Sequence, residues 1–344
     1  MEYFPAVFDR CLAIGRKLVT RVIWMQIKVA VVIPCYKVKK HILEVISEIG
    51  SEVDAIYVVD DACPEASGAY VQSKCEDPRI KVIFHQKNQG VGGAVISGYS
   101  HAIAQGATII IKIDGDGQMD AKLIPKFIKP IADGLTDYVK GNRFFDLEFL
   151  TEMPKLRLMG NAVLSFISKM ASGYWDIMDP TNGYTAIHVS VLKMIPLHKV
   201  DKRYFFESDM LFRLNILRAV VYDLPIPAKY GTEVSNLKIV KVIFDFPGKY
   251  LNRCFKRIFY NYFLRDFNIG SVELIIAGIL ISAGSIFGLF HWYLSFTRGI
   301  IATSGTVMLS SLPIILGFQS LLAAVNYDVT NVPKIPIHKI LAER

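Results

Sequence analysis

The sequence predicts an α/β domain with a mostly parallel sheet and helices on both faces, followed by interfacial amphipathic helices and a two-helix transmembrane hairpin. Three observations carry this. Short, continuous apolar runs alternate with helix-length stretches from Lys28 onward. Of two long apolar runs near the C-terminus, the first has Glu273 at its edge as its one charge and the second has none. Composition agrees: 52% of the 344 residues are hydrophobic and 20% charged, against about 25% charged in soluble proteins, and mean hydropathy is +0.35. Wholesale disorder is excluded, because it needs low hydrophobicity and high charge. Five cysteines without a CxxC pair argue against a disulfide scaffold or a zinc ribbon.

Residues 1–26 mix Phe4, Val7, Leu12, Leu18 and Ile23 with Arg10, Arg16, Lys17 and Arg21 at loosely helical spacing. The segment is too interrupted to span a bilayer and lacks a signal-peptide core, so an amphipathic extension is expected. Residues 27–232 form the α/β domain. Its strands are expected at 29–33, 55–59, 80–84 and 108–113, apolar on both faces as parallel strands are. Helices are expected at about 38–49, 66–76, 90–105 and 121–133, and such alternation marks a parallel sheet.

Residues 233–270 combine seven Lys/Arg (Lys238, Lys241, Lys249, Arg253, Lys256, Arg257, Arg265) with many aromatic and aliphatic side chains, the pattern of helices lying among lipid headgroups. A nucleic-acid partner is rejected for this basic stretch because it abuts the spans. Within 271–327, the spans are expected at about 272–294 and 300–325, each long enough for the roughly 30 Å hydrocarbon layer. Gly284-x-x-x-Gly288 allows another helix to approach closely. Lys/Arg before the first span and in the tail 328–344 outnumber the single Arg298 between them, which predicts both chain ends in the cytoplasm.

Ligands of parallel sheets bind at the carboxyl ends of the strands. There the sequence places Ile33-Pro34-Cys35-Tyr36, Val59-Asp60-Asp61 and Asp114-Gly115-Asp116-Gly117-Gln118. Two Asp separated by one Gly can share a divalent cation, and Mg²⁺ takes one or two carboxylates plus substrate phosphates. An Asp/Gly turn without metal is the alternative. A calcium-loop reading fails, with Met119 where Gly is needed and Pro125 where Glu is needed. Asn88-Gln89-Gly90-Val91-Gly92-Gly93 opens a helix and offers N–H groups to a phosphate or ribose. It lacks the position and spacing of a dinucleotide fingerprint, and no P-loop is present. The seven histidines show no metal-binding spacing.

Taken together, IPCY, VVDD, NQGVGGA and DGDGQMD resemble the nucleotide-sugar domain of family 2 glycosyltransferases of the GT-A (Rossmann-like) fold. Gly141-Asn142-Arg143, Arg157 with Asn161, Asp179-Pro180-Thr181-Asn182-Gly183-Tyr184 and Arg203-Tyr204-Phe205-Phe206-Glu207 narrow the resemblance to polyprenyl-phosphate glycosyltransferases. The two spans resemble the bacterial, undecaprenyl-phosphate branch. The resemblance implies a nucleotide-sugar donor, UDP-linked by analogy with the bacterial branch, a polyprenyl phosphate acceptor, and Mg²⁺ or Mn²⁺. It assigns Pro34, Tyr36, Asp60, Asp61, Asn88, Gly90, Asp114 and Gln118 to the donor, and Asp114, Asp116 and Gln118 to the metal. Arg143, Arg157, Asn161 and Arg203 fall to the acceptor phosphate. Asp116 and Asp179 are the catalytic candidates, Asp179 either as base or as the group orienting the sugar or Arg143.

It further implies a bacterial plasma-membrane location and association of copies through the transmembrane region. Two departures stand out: Lys37-Val38 replace an Asn-Glu pair common in relatives, and Asn161 replaces a small hydroxyl residue. A QxxRW signature is absent, which argues for transfer of a single sugar. The competing readings are a membrane-attached glycosyltransferase acting on a hydroxyl of a lipid-linked saccharide, and a non-catalytic membrane scaffold.

Overall fold

Apolar residues alternate between two cores along each central strand, which is what a sheet covered on both faces requires. In β1 (Val29–Cys35), Val29, Val31, Ile33 and Cys35 enter one core, while Ala30 and Val32 enter the other. β4 (Ile109–Lys112) divides likewise, with Ile109 and Ile111 opposite Ile110. The computed structural model describes residues 27–145, 155–227 and 239–343, with backbone alone at 155–158, 161 and 239–244. The amphipathic extension expected at 1–26 lies outside the described residues.

The sheet has seven strands in the order β3-β2-β1-β4-β6-β5-β7. β2 (Ala55–Asp60) and β3 (Ile80–Phe84) extend it on one side of β1, and β5 (Tyr138–Asn142) and β7 (Val221–Pro225) on the other. All run parallel except β6 (Thr185–His188), which is antiparallel to both β4 and β5. The helices between them are α1 (Ile42–Ser47), α2 (Ser67–Lys74), α3 (Val91–Ala104), α4 (Ile124–Ala132), α5 (Lys155–Ser172), α6 (Val189–Leu192) and α7 (Phe206–Leu217). The mostly parallel α/β sheet expected from the sequence is present, and the first four strands stand where the apolar runs placed them.

The reversed β6 has a consequence for function. Lys112 at the end of β4 pairs in register with Thr185 at the start of β6, and Lys140 in β5 pairs with the same Thr185. The segment 179–184, which feeds β6, is thereby delivered to the edge where β4 and β5 end. That edge also receives the ends of β1 and β2, paired in register at Cys35 and Asp60.

After β7 the chain continues through α8 (Ile239–Phe259), a π-helical turn (Tyr260–Arg265), α9 (Ile269–Arg298), α10 (Ser304–Thr330) and α11 (Ile337–Ala342). Two compact units result: one contains the chain up to Tyr250 together with the segment from Pro333 onward, and the other is Leu251–Val332. In the first unit, α11 returns to the sheet domain. Buried Asp137 accepts hydrogen bonds from the backbone N–H of Val220, Ile337 and His338 and contacts His338 Nδ1 at 2.7 Å.

In the second unit, α9 and α10 are long and apolar enough to cross a membrane, and little of either is buried. At 30 and 27 residues they extend about 45 and 40 Å. Together they mark a membrane-associated chain. A Cβ on Gly284 would lie 2.7 Å from the Ser310 carbonyl oxygen, and one on Gly288 would strike the Ser310 hydroxyl. The close-approach face foreseen in α9 therefore packs on α10 of the same chain. Arg257, buried, donates to both carboxylate oxygens of Asp328 at 2.6 and 2.9 Å, and Tyr262 donates to the same group. One of the seven basic residues read as lipid contacts is thus an internal partner, because Asp328 near the end of α10 needs a counter-charge. In the first unit, Lys249 likewise pairs with Asp201. Leu251, Phe255 and Phe259 keep an apolar, exposed face on α8.

Candidate active site

Charged side chains gather at the shared strand edge for reasons visible one strand at a time. β2 ends in Asp60, whose Oδ1 accepts from Cys63 N (2.7 Å) and Oδ2 from Gly68 N (2.6 Å). Both oxygens hold the turn into α2, so Asp60 shapes that loop. Pro34 is buried inside β1, and Tyr36 just beyond it is 42% exposed.

Asp61 organises the glycine loop. Its carboxylate accepts from Gln89 N (2.8 Å) and Gly90 N (2.7 Å) and contacts His85 Nδ1 at 2.7 Å, while its backbone oxygen accepts from Asn88 Nδ2 (3.1 Å). His85 in turn meets Ser97 of α3. Two N–H groups of the glycine loop have partners within the protein. The Gly90 N–H is taken by Asp61, and the Gly93 N–H donates to the Lys202 carbonyl (3.0 Å). A Cβ on Gly90 would come within 2.6 Å of the Lys202 carbonyl oxygen, and one on Gly92 within 2.5 Å of that of Asp201. Gly90 also holds a positive φ of 89°, which favours glycine. These glycines let the loop lie against residues 201–203. Arg203 is packed beside Gly90, and its N–H donates to Asp201.

β4 carries Lys112 and then Asp114. Lys112 is 1% exposed, and its Nζ lies 3.0 Å from Glu207 Oε1 and 2.9 Å from Asp114 Oδ1. Burial disfavours the ammonium, but the two carboxylates outweigh burial and hold it above the ordinary lysine range. The contact to Asp114 is an ion pair without hydrogen-bond angles, leaving Asp114 Oδ1 buried with no hydrogen-bond partner. Asp116, one glycine on, accepts from Gln118 N at 3.0 Å. A Cβ on Gly183 would strike Lys112 Nζ and come within 2.6 Å of Asp114 Oδ2, so only glycine lets the 179–184 segment close on this pair.

This donor set fits a divalent cation of the Mg²⁺ or Mn²⁺ type. It offers the Asp114 carboxylate, whose Oδ1 is also paired with Lys112 Nζ, a second carboxylate in Asp116 and the Gln118 amide in one turn. Among the described residues, no three His, Cys, Asp or Glu side chains converge on one point. An ion there would complete its shell from other ligands, as Mg²⁺ does with phosphates.

β5 ends in Asn142, followed by Arg143. The Arg143 guanidinium donates from Nε to Asp179 Oδ2 (2.7 Å) and from Nη2 to Asp179 Oδ1 (3.1 Å). Asp179 is fully buried, and Thr181 also reaches it. A planar fork held at two points is fixed in orientation. Arg157 and Asn161 lie on α5, but their side chains fall outside the described residues.

Other polar groups at this edge were missed in the sequence. Lys140 is fully buried, donates to the Asn182 carbonyl, and is pushed down by burial to about 8, against the pull of Glu207 and Asp179. Asp223, half-buried and in register with it on β7, is pushed up by burial to about 6, and its Oδ1 has no hydrogen-bond partner. A lone lysine within an apolar strand, as in Ile-Ile-Lys112-Ile, was the available signal, since a buried charge demands a counter-charge.

Residues 30–195 match the sequence model of glycosyl transferase family 2. The chain carries a family 2 glycosyltransferase domain. The UDP-N-acetylglucosamine–dolichyl-phosphate N-acetylglucosaminyltransferase of Methanococcus voltae is 29% identical to it over 229 residues, covering 62% of this chain and 90% of the relative. The undecaprenyl-phosphate mannosyltransferase of Micrococcus luteus is 28% identical, over 50% of this chain and 70% of the relative. In fold, the glycosyltransferase domain is similar to glucosyl-3-phosphoglycerate synthase from Mycobacterium tuberculosis in complex with UDP. The TM-score is 0.53 at 15% identity, covering 68% of this chain and 83% of that one. Another crystal structure of that synthase contains Mn²⁺, UDP-glucose and phosphoglyceric acid (TM-score 0.51, 16% identity, 69% and 82% covered). The domain thus has the GT-A architecture, and its match to family 2 makes it a glycosyltransferase domain.

Proposed function

We propose that this glycosyltransferase moves a single sugar from a nucleotide diphosphate-sugar, a UDP-sugar, to a polyprenyl phosphate, undecaprenyl phosphate, at the cytoplasmic face of a bacterial membrane. One observation carries the reading: Arg143, oriented by buried Asp179, stands at the same strand edge as Asp114 and Asp116. An anion-binding fork beside an acidic metal-type loop suits an acceptor that is itself a phosphate. The names of the Methanococcus and Micrococcus relatives support that acceptor class.

In this reading Tyr36 and the loop ordered by Asp60 and Asp61 receive the nucleoside, with Asn88 tied to the same loop. Asp114, Asp116 and Gln118 hold the cation with the diphosphate, and a cation bound there would offset the charge of the leaving nucleoside diphosphate. Arg143, joined by Arg157, Asn161 and Arg203, holds the acceptor phosphate. A phosphate monoester has its second pKa near 6, so its oxygen is already a nucleophile at neutral pH. Asp179, with both oxygens on Arg143, then works as a positioning residue rather than a base. Direct attack at the anomeric carbon inverts its configuration.

A polyprenyl chain leaves the bilayer only at about 0.8 kcal/mol per CH₂, so the enzyme must work at the membrane, and α9 and α10 suit that need. The docking of α11 on the sheet domain supports a tail on the catalytic side, as does the Lys/Arg bias.

The test is purified protein with Mg²⁺, undecaprenyl phosphate and radiolabelled UDP- and GDP-sugars. Label is expected in an acid-labile lipid from one UDP-sugar, and EDTA should abolish it. Label appearing only on the hydroxyl of a lipid-linked saccharide would replace this reading.

A further inference from the structure

Lys112 stands inside an apolar strand, two residues ahead of Asp114, and is buried. Its Nζ donates to Glu207 Oε1 at 3.0 Å and lies 2.9 Å from Asp114 Oδ1 as an ion pair. Glu207 is itself buried in the first turn of α7, where the helix dipole favours a carboxylate. Gly183 crowds the ammonium as well, since a Cβ there would strike Nζ, and little room is left for it to leave Asp114. Burial alone disfavours its charge, but Asp114 and Glu207 keep it protonated.

Asp114 is also the first residue of the acidic turn that would hold a cation. Its side chain is 29% exposed although Oδ1 is shut off from solvent. One part of the side chain thus meets the open strand edge, and Oδ1 meets Lys112. A divalent ion on that carboxylate must share it with a fixed ammonium, and like charges at a partly buried site are poorly screened. Beside Asp114 the turn offers Asp116 and Gln118, and among the described residues no three His, Cys, Asp or Glu side chains converge. By itself the turn is a weak cation site. A diphosphate changes the balance, because it brings both ligand oxygens and negative charge.

We infer that Lys112, its strength set by Glu207, is a resident cation that withholds Asp114 from a divalent ion until the donor's diphosphate supplies compensating charge. The inference rests on the nucleotide-sugar reading above and deepens it, since cation affinity becomes conditional on the diphosphate. Lys112 acts through Asp114 and, being buried, touches neither substrate.

The experiment measures Mn²⁺ binding to the full-length protein in detergent, by EPR of the free ion, with and without UDP or GDP. On the wild type, one of the two nucleotides should tighten Mn²⁺ binding by about tenfold or more. Lys112→Met removes the competing charge and should tighten Mn²⁺ about tenfold in the absence of nucleotide. Glu207→Gln leaves the ammonium less neutralised and should weaken it about threefold. The double variant, Lys112→Met with Glu207→Gln, should also bind free Mn²⁺ more tightly than the wild type, and it carries the test if the single lysine variant does not fold. With nucleotide present, these differences should shrink. Opposite shifts from the two single variants are the signature, because loss of a merely structural pair weakens binding in both. Weaker Mn²⁺ binding in Lys112→Met or in the double variant would overturn the inference and make Lys112 a support for Asp114. Unchanged binding in Glu207→Gln and the double variant would overturn it equally, leaving the pair a stabilising element alone. In either case nucleotide-dependent Mn²⁺ binding on the wild type would leave the nucleotide-sugar reading standing. If neither UDP nor GDP tightens Mn²⁺ on the wild type, that reading fails and the inference with it.

Discussion

Asp179 lies fully buried and grips Arg143 through both carboxylate oxygens, at 2.7 and 3.1 Å, across 36 residues of sequence. The arginine is 35% exposed at its side chain, so the pair presents an oriented cation from a hidden anchor. The two roles that the sequence left open for Asp179 predict different kinetics.

If Asp179 orients Arg143, Asp179→Asn should raise the KM for the lipid phosphate about tenfold, the equivalent of 1.4 kcal/mol, and lower kcat by less than that. A general base contributes about 10²–10⁴ in rate. Steady-state kinetics at neutral pH decide the matter: a kcat loss of about a thousandfold with KM unchanged would restore the base.

Lys112 and Glu207 form a buried pair across 95 residues. Lys112→Met leaves Glu207 buried without its partner and should destabilise the protein by about 3–5 kcal/mol. Glu207→Gln should cost less, because Asp114 remains beside the ammonium. The double variant should be less destabilised than the two single losses combined, with a coupling of about 1–3 kcal/mol in urea unfolding. Strict additivity would show that the pair does not act as a unit.

Asp223 brings a pH dependence whose sign follows from its raised folded-state pKa of about 6. Between the ordinary carboxylate range and 6, the folded state holds a proton that the unfolded state has lost. Stability from this group is therefore present at low pH and lost as pH rises towards 6. Asp223→Asn should be more stable than wild type above pH 6, by on the order of 2 kcal/mol, and the advantage should vanish near pH 4. Parallel denaturation curves for the two proteins across that range would refute the assignment.

In the hairpin, Gly284→Leu should be destabilising by about 1–3 kcal/mol through overpacking, since its Cβ would meet the Ser310 carbonyl oxygen at 2.7 Å. Gly278 on the same helix has open space around it, and Gly278→Leu should leave thermal unfolding in detergent unchanged. Equal effects at the two positions would show that α9 and α10 do not pack through Gly284.

Local pattern made the first half of the sheet legible, because β1 to β4 are unbroken apolar runs and their helices follow at short intervals. The same held for the two apolar helices and for the Asp114–Gly115–Asp116 turn, whose chemistry is written in adjacent residues. β5 was hidden by Lys140 and Gly141, which break its apolar run, and β6 by being only four residues long.

By itself, then, the sequence determined an α/β sheet domain of the GT-A kind, two apolar helices and an acidic turn at a strand end. Only the tertiary structure decided that β6 runs backwards, bringing Asp179 to Arg143 and Gly183 onto Lys112 and Asp114. It alone showed that the glycine loop packs against residues 201–203. Periodicity and turn chemistry act over a few neighbours and can be read along the chain. A buried charge finds its partner through the fold, at whatever separation in sequence the strand order imposes.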